Sequence, residues 1–180
     1  GLWFGWSGGV TSNEDIKPVL KKDKGITYAT VDLTKKDYEN YYNGYCNEVL
    51  WPIFHYRLDL VEYSKLKFES YKRVNKSFSL MIKKLLDNED LIWVHDYHFL
   101  LIARELRKFK CTQKIGFFLH IPWPSKEILT ALPDHKELVE ALLDFDLIGF
   151  QTRKHVLTFL DYIISELGGS VESDGSVFAL

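Results

Sequence analysis

Apolar and polar positions along this 180-residue chain change their pattern about halfway. Residues 25–33, GITYATVDL, alternate as in a strand, and Thr34 followed by Asp37 resembles the capping box that begins a helix. From Tyr71 onward, apolar residues recur every three or four positions until the polar run 87–90. This spacing predicts an amphipathic helix with one buried face.

Beyond that helix, three short and continuously apolar runs alternate with helical patterns. The runs are LIWV (91–94), IGFFLHI (115–121) and LIGF (147–150), and the helical patterns cover 99–109, 125–145 with an interruption at Pro133, and 153–167. Continuous apolar runs between helices are typical of strands buried on both faces of a parallel sheet. We therefore predict an α/β fold with a Rossmann-like parallel sheet and flanking helices. A hairpin turn is expected at residues 174–175.

Composition narrows the classes of function. The chain is 46% hydrophobic and 15% aromatic, which predicts a substantial core, and its net charge of −2 favours neither nucleic acid nor an anionic membrane as partner. The apolar runs are shorter than the ~20 residues that a membrane span needs, and we expect no signal peptide. Cys46 and Cys111 lack CxxC spacing, which favours free thiols in the cytoplasm.

Polar residues follow each of the three apolar runs. Ligands of an open parallel sheet bind beyond the carboxyl ends of its strands, so these residues are expected to converge at one edge. They are His95, Asp96, His98, His120, Gln151 and Thr152.

Several chemistries remain open for these residues. The stretch HDYH could form half of a metal site, but the chain has no HExxH spacing and no cysteine near that stretch, so we predict no metal. A nucleophilic serine is disfavoured because no GxSxG turn is present. His120 could equally be a hydrogen-bonded core histidine. Asp96 is the stronger functional candidate, because a carboxylate after four apolar residues is costly to bury without a partner.

Aromatic residues suggest a sugar as the ligand. Most of them are expected to pack in the core, yet a sugar has an apolar C–H face and a rim of hydroxyls. Its site therefore needs a flat ring beside carboxylates and histidines. The set that fits is Trp3, Trp6, Tyr42 and Trp51 with Asp96 and His120.

Five blocks of sequence resemble the N-terminal domain of the trehalose-6-phosphate synthase family. They are GLWFGWSG, YYNGYCNEVLWPIFHYRLDLV, WVHDYHFLLIARELR, IGFFLHIPWPSKEILTALP and LIGFQT, and they occur in family order over roughly residues 1–165. The last fifteen residues show no match.

The resemblance implies a retaining glycosyltransferase of the GT-B architecture, with two Rossmann-like domains and no metal or other cofactor. Such enzymes transfer glucose from UDP-glucose to glucose 6-phosphate and release trehalose 6-phosphate and UDP. In the family, the acceptor is held by residues that match Trp6, Tyr42, Trp51 and Asp96. His120 matches a histidine at the donor glucose, so Asp96 and His120 are the predicted catalytic residues. Retention implies a front-face route in which the leaving phosphate helps to deprotonate the acceptor.

The choice of Trp6 over Trp3 rests on local sequence. Gly5 and the SGG that follows Trp6 suggest an exposed turn, which would present Trp6 to the sugar.

The same resemblance implies that residues 1–180 form an incomplete N-terminal, acceptor-side domain. The family's first strand and its C-terminal nucleotide-sugar domain are expected to be absent. Sugar phosphates usually require Arg or Lys, and near the strand ends the chain offers only Lys126, Arg153 and Lys154, none in a matching motif. We therefore expect no turnover by this chain alone.

Two other functions stay open at this point. One is a sister transferase with another acceptor, such as glucosylglycerol-phosphate synthase. The other is a non-catalytic, sugar-phosphate-binding regulatory subunit. Homo-oligomerisation also stays open, because an uncovered cleft with Trp and Tyr on it favours self-association.

Overall fold

The apolar runs of the sequence form strands. The computed structural model describes residues 1–179 of the chain. The strands are β1 (Leu2–Thr11), β2 (Val19–Asp23), β3 (Ile26–Thr34), β4 (Leu91–His95), β5 (Lys114–Leu119), β6 (Leu147–Phe150), β7 (Ser170–Val171) and β8 (Val177–Phe178). The α-helices are α1 (Lys35–Asp37), α2 (Trp51–Phe54), α3 (Lys65–Lys83), α4 (Ile102–Lys108), α5 (Lys126–Leu129), α6 (His135–Leu142) and α7 (Arg153–Glu166). A π-helix spans Tyr38–Leu50, and 3-10 helices span Leu58–Leu60 and Tyr97–Phe99.

The three apolar runs form a parallel sheet in the order β4–β5–β6. Val94 lies beside Phe117, and Phe117 lies beside Ile148. Helix α4 connects the first pair of strands, and α5 with α6 connects the second. The predicted α/β class, a parallel sheet with flanking helices, is confirmed.

A second sheet has the order β1–β3–β2. The predicted strand over 25–33 corresponds to β3, which pairs in parallel with β1 and antiparallel with β2. The sequence did not predict β2, because all five of its residues are exposed and it lacks an alternating pattern. The register of β1 shifts between Trp6 and Val10, and Gly8 within this bulge has a φ of +87°.

Helix α3 packs against both sheets and thereby connects them. Phe78 of this helix contacts Phe4 of β1, with ring centroids 5.5 Å apart, and Phe99 after β4, at 5.1 Å. Both sheets therefore share one hydrophobic core, in which Leu33 and Phe117 are almost completely buried.

The helix boundaries follow capping and proline signals. The Thr34 hydroxyl accepts a hydrogen bond from Asp37 N–H at 3.1 Å, which confirms the predicted helix start. Helix α3 begins earlier than predicted, because Ser64 caps it by accepting from Lys67 N–H. Pro133 separates α5 from α6, as predicted.

The predicted hairpin near the end of the chain is confirmed. Strands β7 and β8 pair antiparallel, and Gly175 in their turn has a φ of +89°. No helix within residues 1–179 is both long and apolar enough to cross a membrane.

The central strand of the parallel sheet should be the most sensitive to loss of volume. Phe117 is 0% exposed, so Phe117→Ala should lower the free energy of unfolding by about 3–5 kcal/mol. Phe178→Ala is the matched control, because Phe178 is 58% exposed and its loss should cost less than about 0.5 kcal/mol. Urea unfolding of the two variants measures the difference, and similar losses would contradict this description of the core.

Candidate functional site

The turn after β4 holds Asp96 in an unusual backbone conformation. Its φ is +67° and its ψ is 174°, a region that is almost restricted to glycine. Asp96 N–H donates to the Phe118 carbonyl at 2.9 Å, and the Asp96 carboxylate accepts from Tyr97 N–H at 3.1 Å. Strain of this kind costs about 1–3 kcal/mol and persists only where the surroundings fix it, so it identifies Asp96 as a functional candidate.

The carboxyl ends of the three parallel strands meet at this turn. His95 Nδ1 lies 2.9 Å from His120 Nε2, so the last residue of β4 and the first residue after β5 share a hydrogen bond. Gln151, directly after β6, donates from its side-chain amide to the His120 carbonyl. Both histidine side chains are exposed at this edge. The structure therefore brings together His95, Asp96, His120 and Gln151, while Thr152 instead caps α7.

Five rings beside this turn form a continuous chain, which we call the aromatic arc. The centroids of Trp6 and Tyr42 are 4.6 Å apart, and those of Tyr42 and His98 are 5.8 Å apart in a stacked arrangement. The chain continues from His98 to Tyr97 at 4.2 Å and from Tyr97 to Trp51 at 5.8 Å. Trp51 is 44% exposed, so part of its surface is open to solvent.

Trp6 belongs to the aromatic arc and Trp3 does not. Trp3 contacts Tyr28 of β3 at 6.2 Å between centroids, and its ring covers Gly5. The expected exposed turn around Trp6 was wrong, because this segment lies within β1 and only a bulge interrupts its pairing. Trp6 is half-buried and its indole N–H donates to the Gly9 carbonyl at 2.8 Å, which fixes the ring against Tyr42.

The winding of the π-helix determines which of its side chains lie on the side of the aromatic arc. Its i→i+5 bonding, seen where Trp51 N–H donates to the Cys46 carbonyl, places residues four or five positions apart on one face. Tyr42, Asn47 and Trp51 have this spacing, and the Tyr97 hydroxyl donates to Asn47 Oδ1 at 3.2 Å. In an α-helix, nine residues make about 2.5 turns, which would put Tyr42 and Trp51 on opposite faces.

Burial controls the charge state of Cys46 and of Tyr97, a member of the aromatic arc. Burial and the nearby Asp96 carboxylate raise the pKa of the Cys46 thiol, which the Tyr41 hydroxyl only partly opposes. Burial likewise raises the pKa of the Tyr97 phenol. Both groups are therefore neutral near pH 7, and Cys46 is not an activated nucleophile.

Sequence reasoning missed Tyr97 and Asn47 as members of this site. Tyr97 directly follows Asp96 and could have been found from that position, whereas Asn47 joins the site only through the π-helical winding. Of the basic residues near the strand ends, Lys126 pairs with Asp161 at 3.5 Å. Within residues 1–179, no group of three or more His, Cys, Asp or Glu side chains is placed to hold a metal ion.

The charge state of His98 gives a direct test of this geometry. Burial lowers the pKa of His98 below its ordinary value of 6.5, and the Asp96 carboxylate partly offsets this effect. The unfolded chain then binds more protons than the folded one just below pH 6.5, so stability should fall as the pH drops through that region. Imidazole NMR should show His98 titrating below 6.5, and Asp96→Asn should move its midpoint lower still.

Asp161→Asn is the matched control, because this carboxylate lies on α7 and pairs with Lys126 instead. It should leave the His98 midpoint unchanged. A His98 midpoint at or above 6.5 in the parent chain would contradict the burial described above.

Comparisons with known proteins agree with this architecture. A trehalose-6-phosphate synthase from Salmonella choleraesuis is 54% identical over 167 residues, which are 92% of this chain and 35% of that protein. A Burkholderia xenovorans α,α-trehalose-phosphate synthase (UDP-forming) in complex with glucose-6-phosphate superposes with a TM-score of 0.97 at 45% identity, covering 100% of this chain and 40% of that one. An E. coli structure bound with UDP-2-fluoro glucose has a TM-score of 0.95 at 47% identity, covering 99% of this chain and 40% of that one.

The chain thus spans between about a third and two fifths of the length of these relatives. The resemblance drawn from the five sequence blocks is confirmed, because the model of glycosyltransferase family 20 matches residues 1–178. That match covers nearly the whole sequence, and the chain belongs to glycosyltransferase family 20.

Proposed function

We propose that this chain forms the acceptor side of a trehalose-6-phosphate synthase. The reaction transfers glucose from UDP-glucose to glucose 6-phosphate and yields trehalose 6-phosphate and UDP. The observation that carries the proposal is the aromatic arc beside the strained turn at Asp96. The relatives named above carry this activity in their names, and one of them was solved in complex with glucose-6-phosphate.

The aromatic arc suits the apolar face of a hexose. Aromatic rings bind the C–H face of a sugar, and Trp51, Tyr42 and Trp6 present rings around one turn. His55 packs against Trp51, with the two ring centroids 4.1 Å apart. Nδ1 of His55 also lies 2.7 Å from the Trp51 carbonyl oxygen. The ring is therefore positioned before any sugar binds, which reduces the entropy lost on binding.

Asp96 supplies hydroxyl recognition at the base of the aromatic arc. One carboxylate oxygen accepts from Tyr97 N–H, and the other has no hydrogen-bond partner among residues 1–179 and can accept from acceptor hydroxyls. We assign Asp96 the task of orienting the anomeric hydroxyl of glucose 6-phosphate, because the backbone at φ +67° sets its Cα–Cβ direction and the bond from Tyr97 N–H holds its carboxylate.

His120 is proposed to face the donor glucose. Its exposed ring lies next to His95, one residue before Asp96, so donor and acceptor would meet at the edge formed by β4 and β5. In the transfer, the bond between the donor C1 and the phosphate oxygen breaks and a bond from C1 to the acceptor oxygen forms on the same face. The acceptor proton passes to the leaving phosphate of UDP.

We further propose that residues 1–180 act within a larger GT-B unit and in the cytoplasm. Cations that stabilise the leaving phosphate would come from that unit, so this chain alone should release no UDP from UDP-glucose. Cys46 and Cys111 are both buried free thiols, which supports a reducing compartment.

A titration of tryptophan fluorescence with glucose 6-phosphate tests the acceptor role. Saturable quenching by glucose 6-phosphate is expected, and titrations with glucose and with inorganic phosphate show which part of the ligand is recognised. Trp51→Leu and Asp96→Ala should each weaken binding at least about tenfold, because each removes a principal contact worth on the order of 1.4 kcal/mol.

Trp93→Leu is the matched control, because Trp93 is 45% exposed, like Trp51, but lies outside the aromatic arc. It should leave the affinity unchanged. Equal losses in Trp51→Leu and Trp93→Leu would contradict the assignment of the acceptor site. If glucosylglycerol-phosphate synthase is the correct comparison, an acceptor panel on the complete enzyme would instead favour a glycerol phosphate.

A further inference from the structure

Helix α3 carries three polar residues on a face that is buried in the core. Tyr71, Asn75 and Ser79 are spaced by four positions, and each is 0% exposed. A core helix face normally carries apolar residues, since buried polar groups are costly unless they are hydrogen-bonded. The three side chains therefore need a common explanation.

All three side chains bond to the backbone of the segment after Asp96. The Tyr71 hydroxyl donates to the Tyr97 carbonyl at 2.6 Å and accepts from Leu100 N–H at 2.9 Å. The Asn75 amide donates to the His98 carbonyl at 3.2 Å. The Ser79 hydroxyl shares its one proton between the Asn75 carbonyl of its own helix, at 2.8 Å, and the Ile102 carbonyl, at 3.3 Å and one turn further along. We call these three residues the polar ladder.

The hydrogen bonds of Asn75 indicate that its amide has a specific role in the core beyond packing. Its NH₂ group bonds both the Tyr71 and His98 carbonyls, but its Oδ1 accepts no hydrogen bond from any group in residues 1–179. An apolar side chain of similar size would avoid that unsatisfied oxygen. The useful part of the residue is therefore the donor that reaches the turn.

We infer that the polar ladder is a positioning device that holds the turn after β4 in its strained conformation and so aims Asp96. Tyr71 is its principal member, because its hydroxyl fixes the backbone on both sides of His98. Through that backbone the ladder also sets the rings of Tyr97 and His98 in the aromatic arc. The effect of the polar ladder on the reaction rests on the proposed function. That the ladder holds the backbone of the turn does not.

The strain at Asp96 can be measured as the stability difference between two Asp96 variants. A role of Tyr71 that only stabilises the core would leave that difference unchanged. Glycine adopts a φ of +67° without strain, whereas alanine does not, and both remove the Asp96 carboxylate. Asp96→Gly should therefore unfold at a higher urea concentration than Asp96→Ala. If Tyr71→Phe lets the turn relax to an ordinary conformation, this advantage of glycine over alanine should shrink or disappear in that background.

Tyr162→Phe is the matched control. Tyr162 is also 0% exposed, and its hydroxyl bonds His135 rather than the turn. It should lower stability without changing the gap between the two Asp96 variants. A full gap in the Tyr71→Phe background would overturn the inference and leave Tyr71 as an ordinary core residue. If the Tyr71→Phe variants do not fold, the same comparison with Asn75→Ala decides between the two results.

Binding of glucose 6-phosphate separates this inference from the proposed function. With both correct, the gap shrinks and Tyr71→Phe weakens binding, while Tyr162→Phe does not. A shrinking gap without sugar binding by the parent chain would uphold the positioning device and contradict acceptor binding by residues 1–180 on their own. Undiminished binding by Tyr71→Phe together with a full gap would refute the positioning device alone.

Discussion

The conformation of Asp96 is the constraint on which the site depends. A φ of +67° at a non-glycine residue is unfavourable by about 1–3 kcal/mol, so the surrounding hydrogen bonds have to offset it. The Phe118 carbonyl fixes one side of the turn from β5, and the Tyr71 hydroxyl fixes the other side from α3. Sheet and helix thus meet at one residue, and the Tyr97 and His98 rings of the aromatic arc take their positions from the same turn.

The parts of the fold that follow from local periodicity could be predicted from the sequence. Strands β4, β5 and β6 are apolar on both faces, and a continuous apolar run is recognisable without tertiary information. Strand β2 could not be predicted, because an edge strand that is exposed along its whole length has no alternation. The start of α3 was missed for a different reason: its first four residues, KLKF, alternate polar and apolar rather than following helical spacing, and the cap at Ser64 marks the start.

Some parts of the candidate site could likewise be predicted from the sequence, and others could not. The meeting of His95, His120 and Gln151 beside Asp96 was predicted, because polar residues at the ends of parallel strands converge on one edge. The donor role of His120 came only from the family resemblance. Trp6, Tyr42 and Trp51 were predicted as sugar-binding rings, but their arrangement with Tyr97 and His98 in the aromatic arc was not, because it requires the π-helical winding that turns Tyr42 and Trp51 to the same side. An amphipathic pattern assumes α-helical spacing, so a π-helix hides its functional face from that kind of reasoning. The polar ladder was hidden too, since polar residues in a helical pattern are ordinarily assigned to the solvent side.

The two unusual backbone features are complementary. The π-helix supplies side chains from one side of the site, and the strained turn supplies Tyr97 and His98 from the other. Because Tyr97 bonds Asn47 and His98 stacks on Tyr42, a shift of either segment would disturb the rings of both. Neither conformation is the intrinsic preference of its residues, and each is stabilised by contact with the other. A site built in this way gains rigidity from two unfavourable local structures that fit only together.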